Sequence, residues 1–432
     1  MKLAVVGLGY VGVPVAAAMA DAGLDVVGID IDPSKVVAIN AGRSPLKGEE
    51  PGLGDLVSRG AASGRLRASG RYAECDDADF VIVAVETPID DLTHDPQLRA
   101  LRSALASIGP HLKRGAIVSI ESTIAPGTMA SVVKPILEKR SGMREGRGFH
   151  LVHCPERVTT GKLLNNLYTL DRVLGGQRPA AIRKAVTFYG IIVKGKVHVT
   201  DWVTSEISKT AENAYWDVQL AFANELALIC EELGADAYRV RELVNTSPFR
   251  AVLVPGAGVG GHCIPKDPWL LISRSLHGHP VLIPAAREVN DFMPTRTAQL
   301  VEEGLLASGR KVKGARVTVL GLAYKENTDD VRNSPALAVI KELRRKGAEV
   351  RIHDTHVEST RGYEVLRDLD AAVRGADAIV VATAHDPYRR LNWTRLGRLV
   401  RRKVFVDGRN VADGHRLVRR GWVYRGIGKG QF

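Results

Sequence analysis

The stretch KLAVVGLGYVGVPVAAAMADAGLDVVGID, Lys2 to Asp30, restricts the fold more than any other part of this 432-residue chain. An apolar run, a glycine-rich turn, an alanine-rich segment closed by Gly23 and a second apolar run read as strand, turn, helix and strand. Two short apolar strands around one helix make a βαβ unit with parallel strands covered on both faces. Further strand-like runs follow in ADFVIVAV, GAIVSIEST and FHLVHCPE, alternating with helical patterns such as LRALRSALASIGPHL. This alternation predicts an α/β fold with a doubly wound, mostly parallel sheet.

From Thr204 to Gly234 the rhythm changes to one helical periodicity of about thirty residues. Helical character continues to Met293, interrupted by a Pro/Gly-rich loop around Cys263. The α/β alternation resumes at ARVTVLGLAYK and runs through AEVRIHD, ADAIVVATAH and KVFVDGR. The expected organisation is two Rossmann-like doubly wound domains, residues 1–198 and 299–432, joined by a long central helix and helical connector at 199–298. The long helix carries more apolar positions than one buried face requires, so it is expected to pair across a homodimer.

Composition closes off other classes. Hydrophobic residues make up 45% and charged residues 25%, which suits a globular chain. No apolar stretch is long enough to span a bilayer, and the N-terminal run reads as a strand instead of a signal peptide. Cys75, Cys154, Cys230 and Cys263 are scattered without CxxC spacing. That pattern points to a reducing cytoplasm and away from disulfides or a metal site. The net charge is +12, but the basic residues are dispersed and aromatics are only 5%. No nucleic-acid-binding signature accompanies them, so a basic face that attracts anionic small molecules is expected, with neither nucleic acid nor membrane as partner.

GLGYVG, Gly7 to Gly12, fits G-x-G-x-x-G between a strand and a helix. In that setting Gly7 permits a tight turn, Gly9 lets the backbone approach a pyrophosphate, and Gly12 allows close helix–strand packing. The helix N-terminus offers free N–H groups to phosphate. Asp30 ends the second strand, where a carboxylate accepts from ribose hydroxyls and repels a 2′-phosphate, so NAD is favoured over NADP. A glycine-rich turn holding another nucleotide is the alternative.

GVGGHCIPKD, Gly258 to Asp267, places a thiol in a glycine-rich bend beside Lys266 and Asp267. Cys230, in the apolar run LALICEEL, looks packed; Cys263 looks presented. A neighbouring ammonium favours the reactive thiolate. A thiolate facing a nicotinamide suggests oxidation of an alcohol to an aldehyde, capture of that aldehyde, a second oxidation and hydrolysis to an acid. The alternative for Cys263 is a small residue tucked under a loop.

These residues fall into an ordered set. GLGYVG is followed by ETP at Glu86–Pro88, EST at Glu121–Thr123, PER at Pro155–Arg157 and KTAEN at Lys209–Asn213. Then come GGHCIPKD, AREVND at Ala286–Asp291 and YKENTDDVRNSPA at Tyr324–Ala336. Over nearly its whole length the chain resembles the NAD-dependent nucleotide-sugar 6-dehydrogenases of the UDP-glucose/GDP-mannose dehydrogenase family. It looks most like the UDP-N-acetyl-D-mannosamine branch.

The resemblance implies a UDP-sugar or other nucleoside-diphosphate-sugar substrate and the following roles. Cys263 is the nucleophile. Lys209 and Asn213, at i and i+4 on one helix face, stabilise the developing oxyanion. Asp267 assists proton transfer with Lys209, and Glu156, with Thr123 near it, activates water for thioester hydrolysis. The cofactor is held by Gly7, Gly9, Tyr10, Val11, Gly12, Asp30 and Lys35, with Thr87, Thr123 and Arg332. Substrate contacts fall to Glu156, Arg157, Val158, Lys209, Asn213 and Arg250. Gly256, Gly260 and His262 wrap the sugar, Tyr324 and Lys325 hold the UDP side, and Arg287 reaches in at a dimer seam. The chain departs from the mannosamine branch at Trp216, where an arginine is usual, and at Ser247–Phe249, where His-Pro-Arg is usual. UDP-glucose and dTDP-glucose therefore stay open as substrates. A two-electron β-hydroxyacid-type dehydrogenase is a further alternative, although such enzymes lack the cysteine loop and the second α/β half.

Overall fold

Runs such as Leu3–Val6 and Phe80–Val83 have no polar face to offer solvent, and they form central strands covered on both sides. The computed structural model describes residues 1–46, 48, 50–275, 278–359 and 362–430. The chain divides into two units, Met1–Glu212 with Trp269–Gly278 and Asn213–Pro268 with His279–Phe432.

The first unit holds β1 (Lys2–Val6), β2 (Asp25–Ile29), β3 (Leu66–Ser69), β4 (Phe80–Val83), β5 (Ile117–Ile120), β6 (His150–His153), β7 (Arg172–Gly176) and β8 (Val197–Thr200). Their order is β3-β2-β1-β4-β5-β6-β7-β8. Pairing is parallel except between β6 and β7, where Val152 faces Gly176 and His153 faces Gly175. Alternation along β1 sends Leu3 and Val5 into one core and Ala4 and Val6 into the core on the other face.

The second unit repeats the plan with β9 (Arg316–Leu320), β10 (Glu349–His353), β11 (Val365–Leu366), β12 (Ala378–Val381), β13 (Val404–Asp407) and β14 (Val423–Gly426). Their order, β11-β10-β9-β12-β13-β14, matches that of the first six strands of the other unit. Each sheet is thus doubly wound. One helix, Trp202–Leu233, covers the long periodic segment, and a second, Leu282–Ala307, carries the AREVND motif. Among the described residues no helix is long and apolar enough to cross a membrane.

Candidate active site

Apart from Arg332, which follows β9 in the second unit, the expected cofactor residues follow the C-terminal ends of β1, β2, β4 and β5, the side of a doubly wound sheet that takes ligands. Gly7 has φ +98°, and a Cβ there would meet the Ala84 carbonyl oxygen at 2.4 Å. A Cβ on Gly12 would lie 1.8 Å from the Gly7 oxygen, so the helix Gly12–Asp21 starts hard against the turn. Gly9 has nothing within 4 Å of its Cβ position. Two glycines close the turn and the third leaves its backbone open, a cradle that fits a pyrophosphate. The first turn of that helix has no acidic side chain and no side-chain cap, which leaves its N-terminus to an anion.

Asp30 is buried. Its Oδ2 accepts from the Leu8 N–H at 2.7 Å and from Lys35 Nζ at 3.1 Å, and its Oδ1 accepts from the Asp32 N–H at 2.9 Å. The carboxylate therefore braces the glycine turn as well as ending its strand. Thr87 is buried and donates from Oγ1 to the Thr123 carbonyl at 2.5 Å, tying the loops after β4 and β5. Glu206 extends this brace: its carboxylate accepts from the Gly127 and Met129 N–H groups at 2.6 and 2.7 Å.

Glu156 is buried just beyond β6, and its Oε2 accepts from the Val158 N–H. Arg157 pairs with Glu212 at 3.0 Å. Lys209 is buried on the long helix, one turn before Asn213.

In the second unit Cys263 is partly exposed, whereas Cys75, Cys154 and Cys230 are buried. Its carbonyl accepts from the Lys266 and Asp267 N–H groups at 3.2 and 2.9 Å, which folds the loop back so that Asp267 opens the helix Asp267–Ile272. Asp267 is fully buried and accepts from Asn213 Nδ2 and from Lys266 Nζ, each at 2.5 Å. Burial first, then the Lys266 and Arg332 charges, push His262 down to about 4, so its imidazole is neutral near pH 7.

The glycines before the thiol are fixed by close approach. A Cβ on Gly260 would sit 2.6 Å from the Asn333 oxygen, and one on Gly261 2.8 Å from the Tyr324 ring. Asn333 Nδ2 donates to the Gly261 carbonyl, and the Gly261 N–H donates to the Arg332 carbonyl. The bend that reads as flexible in sequence is pinned on both sides.

Two expectations need correction. Lys266 does not stand free beside the thiol, because its ammonium is buried against Asp267. Arg287 does not reach outward: its side chain is 2% exposed, and its guanidinium donates to Asp217 and Asp291. Its neighbours in sequence put it on the inner face of its helix, and the aspartates hold it there. The strand β7 runs against β6, within the mostly parallel sheet that was expected. Arg332 forms a two-point pair with Asp330, with Nε at 2.9 and 3.1 Å from its two oxygens. Arg250 is exposed beside Phe249, which is fully exposed with φ +63°.

Residues 1–193 match the NAD binding domain of the UDP-glucose/GDP-mannose dehydrogenase family, residues 203–292 its central domain and residues 318–414 its UDP binding domain. The chain belongs to that family. It is an NAD-dependent nucleotide-sugar dehydrogenase. It is 39% identical to a UDP-N-acetyl-D-mannosamine dehydrogenase of Pyrococcus horikoshii, with all of both chains covered. A solved structure of the enzyme of that name from the same organism superposes with a TM-score of 0.93 over 99% of each chain. An NDP-N-acetyl-D-galactosaminuronic acid dehydrogenase from Methanosarcina mazei Go1 gives 0.88 at 37% identity, covering 99% of this chain and 95% of that one. A UDP-glucose dehydrogenase from Pyrobaculum islandicum also gives 0.88, at 32% identity, covering 99% and 98%.

This dehydrogenase has a second brace that sequence reading missed. Asp354 ends β10 as Asp30 ends β2, and its Oδ2 accepts from the Leu322 and Ala323 N–H groups at 2.6 and 3.2 Å. His385 stands 3.1 Å from the same oxygen. The available signal was an acid closing the second strand of a βαβ unit, but no G-x-G-x-x-G accompanied it. Arg409 was also missed. It donates to the Ala382 carbonyl at 2.8 Å and to the Gly258 carbonyl at 3.2 Å, beneath the loop that leads to Cys263.

Proposed function

We propose that this chain oxidises C6 of a UDP-hexose to the uronic acid through a covalent thioester on Cys263, with UDP-N-acetyl-D-mannosamine the favoured substrate. The observation that carries this reading is the cluster of Asn213, Lys266 and Asp267 around the loop of the partly exposed Cys263. The Gly7–Gly12 turn would hold two NAD⁺ molecules in succession, each supplying the acceptor for the hydride of one oxidation. Lys209 and Asn213 stabilise the alkoxide as the C6 hydroxyl passes its proton to solvent water, with Lys209 and Asp267 assisting the transfer. Losing one such donor costs roughly 10²–10³ in rate. The Cys263 sulfur adds to the aldehyde carbon, giving a thiohemiacetal whose C6 hydride then leaves. Water, activated by Glu156, attacks the resulting thioester. The C–S bond breaks, the acid departs and Sγ regains its proton.

The mannosamine preference rests on the 39% identical relative of that name. Trp216 and Ser247–Phe249 are the positions that favour a second reading, UDP-glucose or dTDP-glucose. On the long helix Tyr215, Trp216, Phe222 and Ile229 are exposed, which supports a homodimer formed along it. Four free cysteines support a cytoplasmic setting.

The test is NADH release over UDP-N-acetylmannosamine, UDP-N-acetylglucosamine, UDP-glucose and dTDP-glucose. Two NADH per sugar, with acid formation lost in Cys263→Ser, is expected. One NADH per sugar, unaffected by Cys263→Ser, would indicate a two-electron enzyme instead.

A further inference from the structure

We infer that Asp217 is a positioning residue for the loop that carries Cys263, acting through Asn290 and Asn224; the inference rests on the assignment of Cys263 as nucleophile. Four buried side chains and one backbone N–H form one chain of hydrogen bonds. Arg287 Nη1 donates to Asp217 Oδ1 at 2.6 Å. Asn290 Nδ2 donates to the same oxygen at 2.8 Å and to the Asp217 carbonyl at 3.0 Å. Asn224 Nδ2 donates to Asn290 Oδ1 at 2.8 Å. The Gly256 N–H donates to Asn224 Oδ1 at 2.9 Å.

The direction of this chain is forced at both ends. An ionised carboxylate only accepts, and a backbone N–H only donates. Asn290 must turn its NH₂ toward Asp217, which leaves its oxygen for Asn224. Asn224 must then turn its NH₂ toward Asn290, which leaves its oxygen for Gly256. The reverse orientation would set two oxygens together at Asp217 and two N–H groups together at Gly256. Both conflicts would be buried, because Asp217, Asn224 and Asn290 are each at most 2% exposed. One carboxylate on the long helix thereby fixes the amide orientation that anchors the start of the Gly256–Gly261 loop.

Stability alone is a poor reason for this arrangement. Asp217 Oδ2 and Arg287 Nε are buried without hydrogen-bond partners. A buried ion pair with unmet valences is seldom worth more than apolar packing, whereas one that sets a unique geometry has a use. Gly256 itself leaves no slack, since a Cβ there would lie 2.5 Å from Arg409 Nη1. Further along, the Ala257 N–H donates to the Gly408 carbonyl at 3.0 Å, so the anchor at Gly256 is passed toward the thiol by a held backbone.

The test uses the full-length protein with Asn290→Asp and the swap Asp217→Asn/Asn290→Asp. The single change sets two carboxylates against each other. The swap restores a donor at 217, an acceptor at 290 and the single negative charge, but it turns the 217 amide N–H groups toward Arg287 Nη1 and a 290 oxygen toward the 217 carbonyl, so it repairs the relay to Asn224 only in part. Three quantities are read: kcat with UDP-N-acetyl-D-mannosamine, KM for NAD⁺, and the rate at which iodoacetamide alkylates Cys263, followed by peptide mass spectrometry. Asn290→Asp is expected to lower kcat at least tenfold and change the alkylation rate at least threefold, with KM for NAD⁺ within twofold. The swap is expected to recover at least threefold of the kcat lost in Asn290→Asp and to move the alkylation rate back toward wild type, with KM for NAD⁺ still within twofold. The inference is overturned if Asn290→Asp stays within twofold of wild type in kcat and alkylation, or if the swap is no better than the single change. If Asn290→Asp does not fold by circular dichroism, a folded and active swap supports the inference and an unfolded or inactive one overturns it. If wild type turns over no sugar, the functional reading has failed, and the alkylation rates still decide the positioning role.

Discussion

The Asn213 amide donates to the Asp267 carboxylate across 2.5 Å, joining the long helix to the helix that follows the cysteine loop. The same carboxylate holds the buried ammonium of Lys266. Asp267 is therefore both a structural counter-ion and a member of the candidate site, and the two roles can be separated. Asp267→Asn keeps an acceptor for Asn213 but strands a buried cation, at an expected cost of about 3–5 kcal/mol. Adding Lys266→Met should recover most of that stability in urea unfolding, while turnover stays low. A single Asp267→Asn variant within about 1 kcal/mol of wild type would contradict the burial argument.

The glycines of the cofactor turn should fail in different ways. Gly12→Ala drives a Cβ into the Gly7 oxygen, so it should destabilise the fold, by on the order of 3–5 kcal/mol. Gly9→Ala meets no protein atom within 4 Å and should leave the unfolding midpoint unchanged. It should still weaken NAD⁺ binding, by about tenfold or more, because the added methyl occupies the pyrophosphate approach. Calorimetric titration of NAD⁺ beside thermal unfolding checks both; equal behaviour of the two variants would refute the division of roles.

His262 gives a pH dependence with a definite sign. Its folded value is lowered from 6.5 to about 4, chiefly by burial. The unfolded chain then takes up a proton before the folded one does. Stability from this group is complete above pH 6.5 and is lost as pH falls toward 4. Between pH 7 and pH 5 wild type should lose about 2 kcal/mol more than His262→Asn in denaturant unfolding. Parallel losses in the two proteins would show that His262 is not held neutral.

Much of this was legible in the sequence because it is local. The turn from Gly7 to Gly12, Asp30 at the end of β2 and the periodicity from Thr204 to Gly234, which forms the helix Trp202–Leu233, are each set by neighbours in the chain. The βαβ rhythm likewise gave both doubly wound sheets. What stayed hidden depends on distant partners. Arg287 reads as an available cation until Asp217, seventy positions away in sequence, is seen to bury it. Asn224 has no local signal that it anchors Gly256. Asp354 follows the rule that identified Asp30, but its loop GLAYKENTDD lacks the glycine spacing that drew attention to the first. The reversal at β7 is invisible to patterns that encode strand and helix but not direction.

The most direct measurement is the mass of the Cys263 peptide after acid quench of the enzyme turning over NAD⁺ and UDP-N-acetyl-D-mannosamine. The expected result is a sugar-nucleotide adduct on that peptide alone, two hydrogens lighter per oxidation completed, and no acid product from Cys263→Ser. Acid formation at the wild-type rate by Cys263→Ser, with the cysteine peptide unmodified in wild type, would contradict it.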